Sequence, residues 1–274
     1  MPTLNEAANL PHVLPLIPDF VDEVVLVDGH SDDATVAIAR AIRPDIRVVL
    51  QDRRGKGNAL ACGFAAASGD IIVMLDADGS TDPKEIPRFV AALLAGSDFA
   101  KGSRYVDGGA STDITRLRSA GNRALALAVN VLFRTRYTDL CYGYNAFWRH
   151  CLPYMNVTCD GFEVETLIHV RMARAGLSVT EVGSVEHARL YGESKLNALR
   201  DGLRVLRTIV RERARQQRGE RHSDGWRPSF RELAQGESIQ VAPQRADSGP
   251  RHGVHAHAPA ALSELSPSVG VSRP

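Results

Sequence analysis

The stretch Ile71-Ile72-Val73-Met74-Leu75-Asp76-Ala77-Asp78 is a short apolar run that ends in two aspartates. A second run, Glu23-Val24-Val25-Leu26-Val27-Asp28, has the same form and ends in one aspartate. Short apolar runs rich in β-branched residues are typical of buried parallel strands. Both runs therefore predict strands that carry acidic side chains at their carboxyl ends.

Helical patterns alternate with these strands. Between the two runs lie a helical pattern at Thr35–Arg40, a weaker strand at Ile46–Leu50 and a second helical pattern at Asn58–Ala67. This alternation predicts right-handed βαβ units and a doubly wound, mostly parallel α/β sheet flanked by helices. Ligands of such sheets bind at the carboxyl ends of the strands, so Asp28 and Asp76 are expected at a binding site.

The second half of the chain is less regular. Arg116–Phe133 and Phe162–Ala175 have helical patterns, and Leu140–Arg149 is mixed and aromatic. A site for an acceptor substrate is expected in this half.

Leucines and arginines recur at helical spacing over residues 196–211, which predicts an amphipathic basic helix. Such a helix either packs on its own domain with a solvated basic face or lies peripherally on a membrane. Residues 216–274 are rich in Ser, Pro, Gly, His and Arg without periodicity, which predicts a disordered tail. One folded domain over residues 1–211 is therefore expected.

Composition excludes several classes of protein. The 274 residues carry 33 basic and 32 acidic side chains, a net charge of +1, which argues against a nucleic-acid partner. The four cysteines form no CxxC pair, so neither a disulfide framework nor a zinc site is indicated. No apolar run approaches the ~20 residues that cross a bilayer, and no signal peptide is visible. A cytoplasmic protein is expected, with peripheral contact at the inner face of the membrane if the basic helix binds lipid.

Asp76 and Asp78 are the strongest chemical signal. Two carboxylates at a junction of strand and loop can hold Mg²⁺ or Mn²⁺ through oxygen, and such a cation can bridge a diphosphate. A solvated turn at Asp78-Gly79-Ser80 is the alternative. The position directly after a predicted buried strand favours the metal site.

Other groups are candidates for binding and proton transfer. Gly55-Lys56-Gly57-Asn58 precedes a helix and is suited to a phosphate, although it lacks Walker spacing. Arg189–Lys195 forms a second basic loop, with a surface charge cluster as the alternative. Asp139, Glu163 and Glu165 are candidates for a general base.

In order along residues 1–211, these motifs resemble the family 2 glycosyltransferases with the GT-A fold, and among them the dolichyl-phosphate mannose synthase-like branch. The matching segments are Pro2-Thr3-Leu4-Asn5-Glu6, Val27–Thr35, Gly55–Gly57, Asp76–Asp78, Gly102–Tyr105, Asp139–Arg149 and Arg189–Lys195. The resemblance implies an inverting, metal-dependent transfer of a sugar from a nucleotide-diphosphate sugar to a polyprenyl phosphate or other small acceptor.

The resemblance also implies roles for individual residues. Binding of the donor falls to Pro2, Thr3, Asn5, Glu6, Asp28, Lys56, Gly57, Asp76 and Arg104. Binding of phosphate or acceptor falls to Arg118, Arg189, Ser194 and Lys195. The expected metal ligands are Asp76 and Asp78, and the expected catalytic residues are Asp78, Asp139 and Glu163.

Members of this family usually have an apolar strand before the Pro-x-x-Asn-Glu loop, whereas here Met1 directly precedes Pro2. The first strand is therefore expected to be truncated, and we hypothesise that Met1 is internal to a longer reading frame. Gly29 stands where many relatives have a second aspartate, and Ser80 stands where the mannosyl branch often has a glutamine, which weakens the case for GDP-mannose.

Two other functions fit part of the pattern. A nucleotidyltransferase also uses a doubly wound sheet, acidic metal ligands and a Gly/Lys loop, and would release pyrophosphate. A non-catalytic binding or scaffold protein would account for the truncated strand and the long tail, and would bind no nucleotide sugar with metal. The position of Asp76-Ala77-Asp78 and the Arg189–Lys195 loop favour glycosyl transfer over a nucleotidyltransferase, and the retention of so many charged motif groups argues against a scaffold.

Overall fold

Strands and helices alternate along the chain in the computed structural model, which describes residues 1–193 and 197–218. The strands are Pro2–Thr3 (β1), Val25–Asp28 (β2), Arg47–Leu50 (β3), Ile71–Met74 (β4), Phe99–Ser103 (β5), Ala110–Ser111 (β6), Asn145–Trp148 (β7), Val179–Gly183 (β8) and Val185–Glu186 (β9). The helices are Leu10–Val13 (α1), Thr35–Ile42 (α2), Lys56–Ala66 (α3), Ile86–Leu94 (α4), Arg116–Phe133 (α5), Leu152–Met155 (α6), Val164–Arg174 (α7) and Ala198–Gln217 (α8).

The strands are mostly parallel, as the sequence predicts. One sheet has the order β1-β2-β3 with parallel pairing throughout. A second has the order β4-β7-β5-β8, in which β7 runs antiparallel to both of its neighbours and β5 pairs parallel with β8. The short strands β6 and β9 form a parallel pair.

Helices cover both faces of the strands. Successive residues of a strand point to opposite faces, and β5 shows this clearly, because Phe99 packs with α3, α6 and α7 whereas Ala100 packs with α1, α2 and α4. On β7, Phe147 and Ala146 divide in the same way. A third cluster joins α5, α7 and α8. The α/β architecture with flanking helices is therefore confirmed.

Local signals place the element ends well. Helix α5 spans Arg116–Phe133, as predicted, because the Thr115 side chain accepts a hydrogen bond from the Arg118 amide (3.2 Å) and Arg134 is left-handed (φ 58°). Asp28 is the last residue of β2, and Asp76 follows β4 by two residues. The aspartates therefore lie at carboxyl ends, as expected.

The first strand is short, as the sequence predicts. Pro2 and Thr3 pair with Val27 and Asp28. The α-ammonium of Met1 donates a hydrogen bond to the Val25 carbonyl (2.9 Å), and its burial lowers its pKa to about 6.

Helix α8 extends to Gln217, six residues beyond the end predicted at 211. It begins at a cap in which the Asn197 side chain accepts a hydrogen bond from the Arg200 amide (3.0 Å). Gln216 and Gln217, the first residues of the predicted disordered tail, belong to this helix, and the tail from residue 219 onward lies outside the described residues. Within the described part of the chain, no helix combines the length and apolarity needed to span a membrane.

Candidate active site

A cleft of about 1180 Å³ opens at the carboxyl ends of β1, β2 and β4. Its walls come from segments far apart in the sequence. The lining includes Pro2, Thr3, Leu4, Glu6, Gly29, His30, Arg54, Gly55, Lys56, Asp76, Ala77, Asp78, residues 158–163, Arg189 and one face of α8. The parallel strands β1 and β2 and the separately paired strand β4 thus end at the same cleft, as expected for the carboxyl ends of strands in an α/β fold.

Two loops on one wall of the cleft are joined by hydrogen bonds. We call residues 2–7 the first loop and residues 28–35 the second loop. The Asn5 amide donates to the Ser31 hydroxyl (2.9 Å), and the Glu6 amide donates to the Thr35 hydroxyl (2.8 Å). Asn5 has a left-handed φ of 58°, a conformation that asparagine tolerates. Pro2, Thr3 and Glu6 line the cleft, whereas Asn5 supports the loop.

One carboxylate oxygen of Asp28 receives no hydrogen bond from the described residues. One carboxylate oxygen accepts a hydrogen bond from the Ser31 amide (3.1 Å), and the other is buried without a hydrogen-bond partner. Buried polar groups are normally paired. Asp28 itself is buried and does not line the cleft, whereas the next residues, Gly29 and His30, do.

Lys56 lies between two carboxylates at the base of the cleft. Its ammonium is 2.8 Å from Asp76 Oδ2 and 2.9 Å from Glu165 Oε1. Burial by itself would lower the pKa of Lys56, but the two negative charges outweigh it and raise that pKa above its usual value. Lys56 is therefore charged and fixes the orientation of Asp76.

Gly57 allows the backbone at the start of α3 to approach another segment. Its amide donates to the Asp160 carbonyl (3.0 Å). A Cβ at this position would overlap the Cys159 carbonyl oxygen. Gly57 thus packs α3 against the 158–163 wall and does not itself line the cleft.

Asp78 is held by two neighbours, one on each oxygen. Oδ1 accepts hydrogen bonds from the Ser80 amide (3.0 Å) and hydroxyl (2.6 Å), and Oδ2 lies 3.2 Å from the Arg189 guanidinium. The side chains of Asp76 and Asp78 are 28% and 19% exposed, and both line the cleft. We call these two residues the aspartate pair. Their carboxylate oxygens can be reached by a ligand that enters the cleft from solvent.

The aspartate pair fits an open metal site. Among the described residues no group of three His, Cys, Asp or Glu side chains converges on one point. A site with two carboxylates leaves coordination positions for phosphate oxygens and water, which is how proteins commonly bind Mg²⁺ with a nucleotide. The residues present thus suit a metal that arrives with a diphosphate.

Residues 187–192 form a roof loop over the aspartate pair. Arg189 donates to both oxygens of Glu6 at 2.9–3.2 Å. The Leu190 amide donates to the Asp78 carbonyl (3.2 Å), and Asn9 exchanges hydrogen bonds with the Tyr191 backbone (3.0 and 3.2 Å). Burial raises the pKa of Glu6, and the bonds to Asn9 and Arg189 only partly offset it. Ser194 and Lys195, predicted to continue this loop, lie outside the described residues.

Arg104 and Asp139 do not reach the cleft, which corrects the predicted roles of both. The Arg104 guanidinium contacts Asp139 Oδ2 (2.7 Å) and Oδ1 (2.8 Å) and also pairs with Glu186 (3.0 Å). The side chains of Arg104 and Asp139 are 3% and 0% exposed. Burial by itself would raise the pKa of Asp139, but the bonds and charge of Arg104 outweigh it and lower that pKa. A buried carboxylate in this state is a poor general base and supports the fold.

Arg118 also lies away from the cleft. Its guanidinium pairs with Asp113 (2.9 Å) at the surface near the start of α5. It does not line the cleft, so the predicted contact with phosphate finds no support in its position.

Glu163 is the predicted base that the structure does place in the cleft. Its Oε2 is buried and has no hydrogen-bond partner among the described residues. Glu165, two residues further on, instead pairs with Lys56. Among the described residues, Glu163 thus lines the cleft without an ion-pair partner.

Four arginines of α8 also line the cleft, and no role in the site was predicted for them. They are Arg200, Arg204, Arg207 and Arg211, which we call the arginine face. Their spacing of three or four residues is visible in the sequence and indicates one side of a helix. Which partner that side faces is decided only by the packing of α8 on α5 and α7.

Comparisons with known proteins agree with this geometry. Residues 1–153 match the sequence profile of Glycosyl transferase family 2. The chain is 32% identical over 207 residues to Glycosyltransferase AglJ of Haloferax volcanii, covering 73% of this chain and 66% of that protein. It is 31% identical over 209 residues to Undecaprenyl-phosphate mannosyltransferase of Micrococcus luteus, covering 72% of this chain and 86% of that protein.

A solved structure shares the fold. The crystal structure of glucosyl-3-phosphoglycerate synthase from Mycobacterium tuberculosis, in complex with Mn²⁺, uridine diphosphate and glucosyl-3-phosphoglycerate, has a TM-score of 0.61 and 28% identity, covering 78% of each chain. The sequence profile, the relatives and this fold agree with the motifs around the cleft. The chain belongs to glycosyl transferase family 2 and has the GT-A fold.

Proposed function

We propose that this protein transfers one sugar, with inversion, from a nucleotide-diphosphate sugar to a polyprenyl phosphate or another small acceptor. The observation that carries the proposal is the aspartate pair in the cleft, held by Lys56 and Arg189 beside the first and second loops. The Micrococcus luteus relative is named for an undecaprenyl-phosphate acceptor, which supports a lipid phosphate here. The Mycobacterium tuberculosis structure holds Mn²⁺ and uridine diphosphate, which supports a metal-bound nucleotide.

The reaction is a single in-line displacement. An acceptor oxygen forms a bond to the anomeric carbon while the bond from that carbon to the diphosphate oxygen breaks, and the electron pair leaves with the nucleoside diphosphate. Asp76 and Asp78 would hold Mg²⁺ or Mn²⁺, which supplies Lewis-acid stabilisation of the leaving diphosphate. Lys56 keeps Asp76 in position, and Arg189 adds a positive charge above Asp78.

The acceptor decides whether a base is needed. A phosphate oxygen is already anionic and attacks without losing a proton. A hydroxyl has to lose one, and Glu163, which lines the cleft with an unpaired oxygen, is the side chain placed to take it.

The direct test is a transfer screen with purified protein. GDP-mannose, UDP-glucose, UDP-galactose and UDP-GlcNAc are each incubated with a polyprenyl phosphate in Mn²⁺ or in EDTA. We expect one donor to give a metal-dependent sugar-lipid and one nucleoside diphosphate. Release of pyrophosphate from a nucleoside triphosphate and a sugar phosphate would instead identify a nucleotidyltransferase. Absence of both reactions and of nucleotide binding would identify a non-catalytic protein.

We also infer that α8 lies on an anionic lipid surface. Its apolar face comprises Leu199, Leu203, Leu206 and Val210, which are 44–77% exposed. At about 100° per residue, this face lies roughly 100° around the helix from the arginine face and roughly 135° from the side that packs on the domain, so it points away from the core. Exposed apolar residues beside arginines match the boundary between acyl chains and anionic headgroups.

Leu203→Ser tests this surface. Because a leucine contributes ~1.5–3 kcal/mol on burial, we expect its affinity for phosphatidylglycerol-containing vesicles to fall by about tenfold in co-sedimentation. Leu94→Ser on α4 is the matched control, since the two leucines are 67% and 64% exposed. Equal vesicle binding by both variants would contradict the inference, and a dimer lost only in Leu203→Ser would assign the face to a second copy.

A further inference from the structure

Four arginines of α8 lie on one wall of the cleft, and few acidic side chains lie beside them. At about 100° per residue, the four members of the arginine face lie within about 60° of one another around α8. The side of α8 that packs on the domain is a different one, formed by Asp201, Val205, Ile209 and Glu212. The arginine face is therefore free to serve the cleft and is not needed to hold the helix.

The four arginines of this face differ in whether an acidic side chain lies close to them. Asp201 lies 3.6 Å from Arg200 and 3.3 Å from Arg204. Within the described ranges, no carboxylate lies within 4.0 Å of Arg207 or Arg211. One acid thus serves four guanidinium groups, and the outer pair carries uncompensated positive charge.

Among the described acids that line the cleft, Glu163 lies near Arg204, Asp160 pairs with Arg53 (3.0 Å), and the other three are engaged elsewhere. Glu6 and Asp78 are engaged by Arg189, and Asp76 by Lys56. Within the described residues, Arg207 and Arg211 therefore keep a positive charge that is available to an anionic ligand in the cleft.

We propose that the arginine face of α8 binds the phosphate group of the acceptor. This inference rests on the proposed function and names the part of the acceptor that the site recognises. Guanidinium groups bind phosphate oxygens in a bidentate manner, and several on one helix face suit a dianion. The Arg204 guanidinium lies 3.2 Å from the position that a Cβ on Gly161 would occupy, so the wall is close to the Glu163 segment. The acceptor is thereby held on the side of the cleft that carries Glu163.

Two kinds of molecule carry such a group: a polyprenyl phosphate and a soluble phosphorylated acid. The test measures binding of each directly and without donor, using a short polyprenyl phosphate in non-ionic detergent and glycerate 3-phosphate in buffer. The variant is Arg207→Gln/Arg211→Gln, because these side chains have no acidic partner that would be left unpaired. The matched control is Arg136→Gln/Arg213→Gln, which removes the same charge from residues that do not line the cleft.

Wild-type protein is expected to bind one of the two phosphates, and the Arg207/Arg211 variant to bind it about 10- to 100-fold more weakly, as expected for lost charged hydrogen bonds. The control variant should bind as wild type does, and all three proteins should bind nucleoside diphosphate with Mn²⁺ equally. Whichever phosphate binds identifies the source of the acceptor.

Equal weakening in the control, unchanged binding in the variant or no binding of either phosphate by wild type would overturn the proposal. Failure of the proposed function gives a different pattern. In that case wild type binds phosphate through Arg207 and Arg211 but transfers no sugar from any donor.

Discussion

Asp78→Ala is expected to reduce sugar transfer by at least ~10²–10³-fold, the range seen when one group that stabilises developing charge is removed. Asp78 supplies one of two carboxylates to the proposed metal site, and a single carboxylate is a weak ligand set for a divalent cation. The leaving diphosphate would then lose its main electrostatic stabilisation. Arg189 would keep Glu6 as a partner, so the roof loop has another contact that holds it.

The measurement combines turnover with binding of Mn²⁺ and nucleotide by calorimetry. Asp19→Ala, an exposed aspartate outside the cleft, is the control and should behave as wild type. The thermal unfolding of Asp78→Ala should stay close to that of wild type, because the side chain is partly exposed. Normal turnover of Asp78→Ala in chelated buffer would remove the metal mechanism.

Asp139→Ala is expected to lower the free energy of unfolding by ~3–5 kcal/mol, a large part of the ~5–15 kcal/mol of a typical domain. The change leaves the Arg104 guanidinium buried with Glu186 as its remaining partner. Removal of one member of a buried pair costs far more than the pair itself contributes, because the other charge stays desolvated.

Urea denaturation at neutral pH measures this loss. Asp113→Ala is the control, since it breaks the half-exposed pair with Arg118 and should cost at most ~1 kcal/mol. If Asp139→Ala unfolded like wild type but transferred no sugar, the catalytic role first predicted for Asp139 would be restored.

Stability at acidic pH gives an independent test of the Arg104–Asp139 pair. Burial alone would raise the pKa of Asp139, but Arg104 lowers it, so its stabilisation is present above the ordinary pKa of an aspartate and is lost as the pH falls through the lowered pKa. Asp139→Asn should therefore show a smaller loss of stability than wild type between pH 4 and more acidic conditions. An identical acid profile for the two proteins would contradict the assigned cause of the shift.

Local patterns were sufficient for much of the fold. The apolar runs that end at Asp28 and Asp76 are strands, and both aspartates lie at or just after their carboxyl ends because the apolar pattern itself stops there. Helix α5 matches its predicted bounds because its cap is formed by neighbours in sequence. In each case the deciding interaction joins residues that are a few positions apart.

The roles of the charged residues depended on distant contacts. Arg104 and Asp139 are 35 positions apart, and their sequence contexts gave no sign that they neutralise each other in the interior. Arg189 donates a hydrogen bond to Glu6, which is 183 positions away in the sequence, and this contact holds the basic loop over the aspartate pair.

By itself, the sequence determined the α/β class, the family and the acids at the strand ends, because periodicity and motif order are local properties of the chain. The tertiary structure alone decided which charged side chains pair with each other inside the protein and which line the cleft. It buried the Asp139 carboxylate, left Glu163 in the cleft and turned the arginine face of α8 toward the site. The reason is that the state of a charge depends on its partner and its solvation, and both are set by packing between segments far apart in the chain.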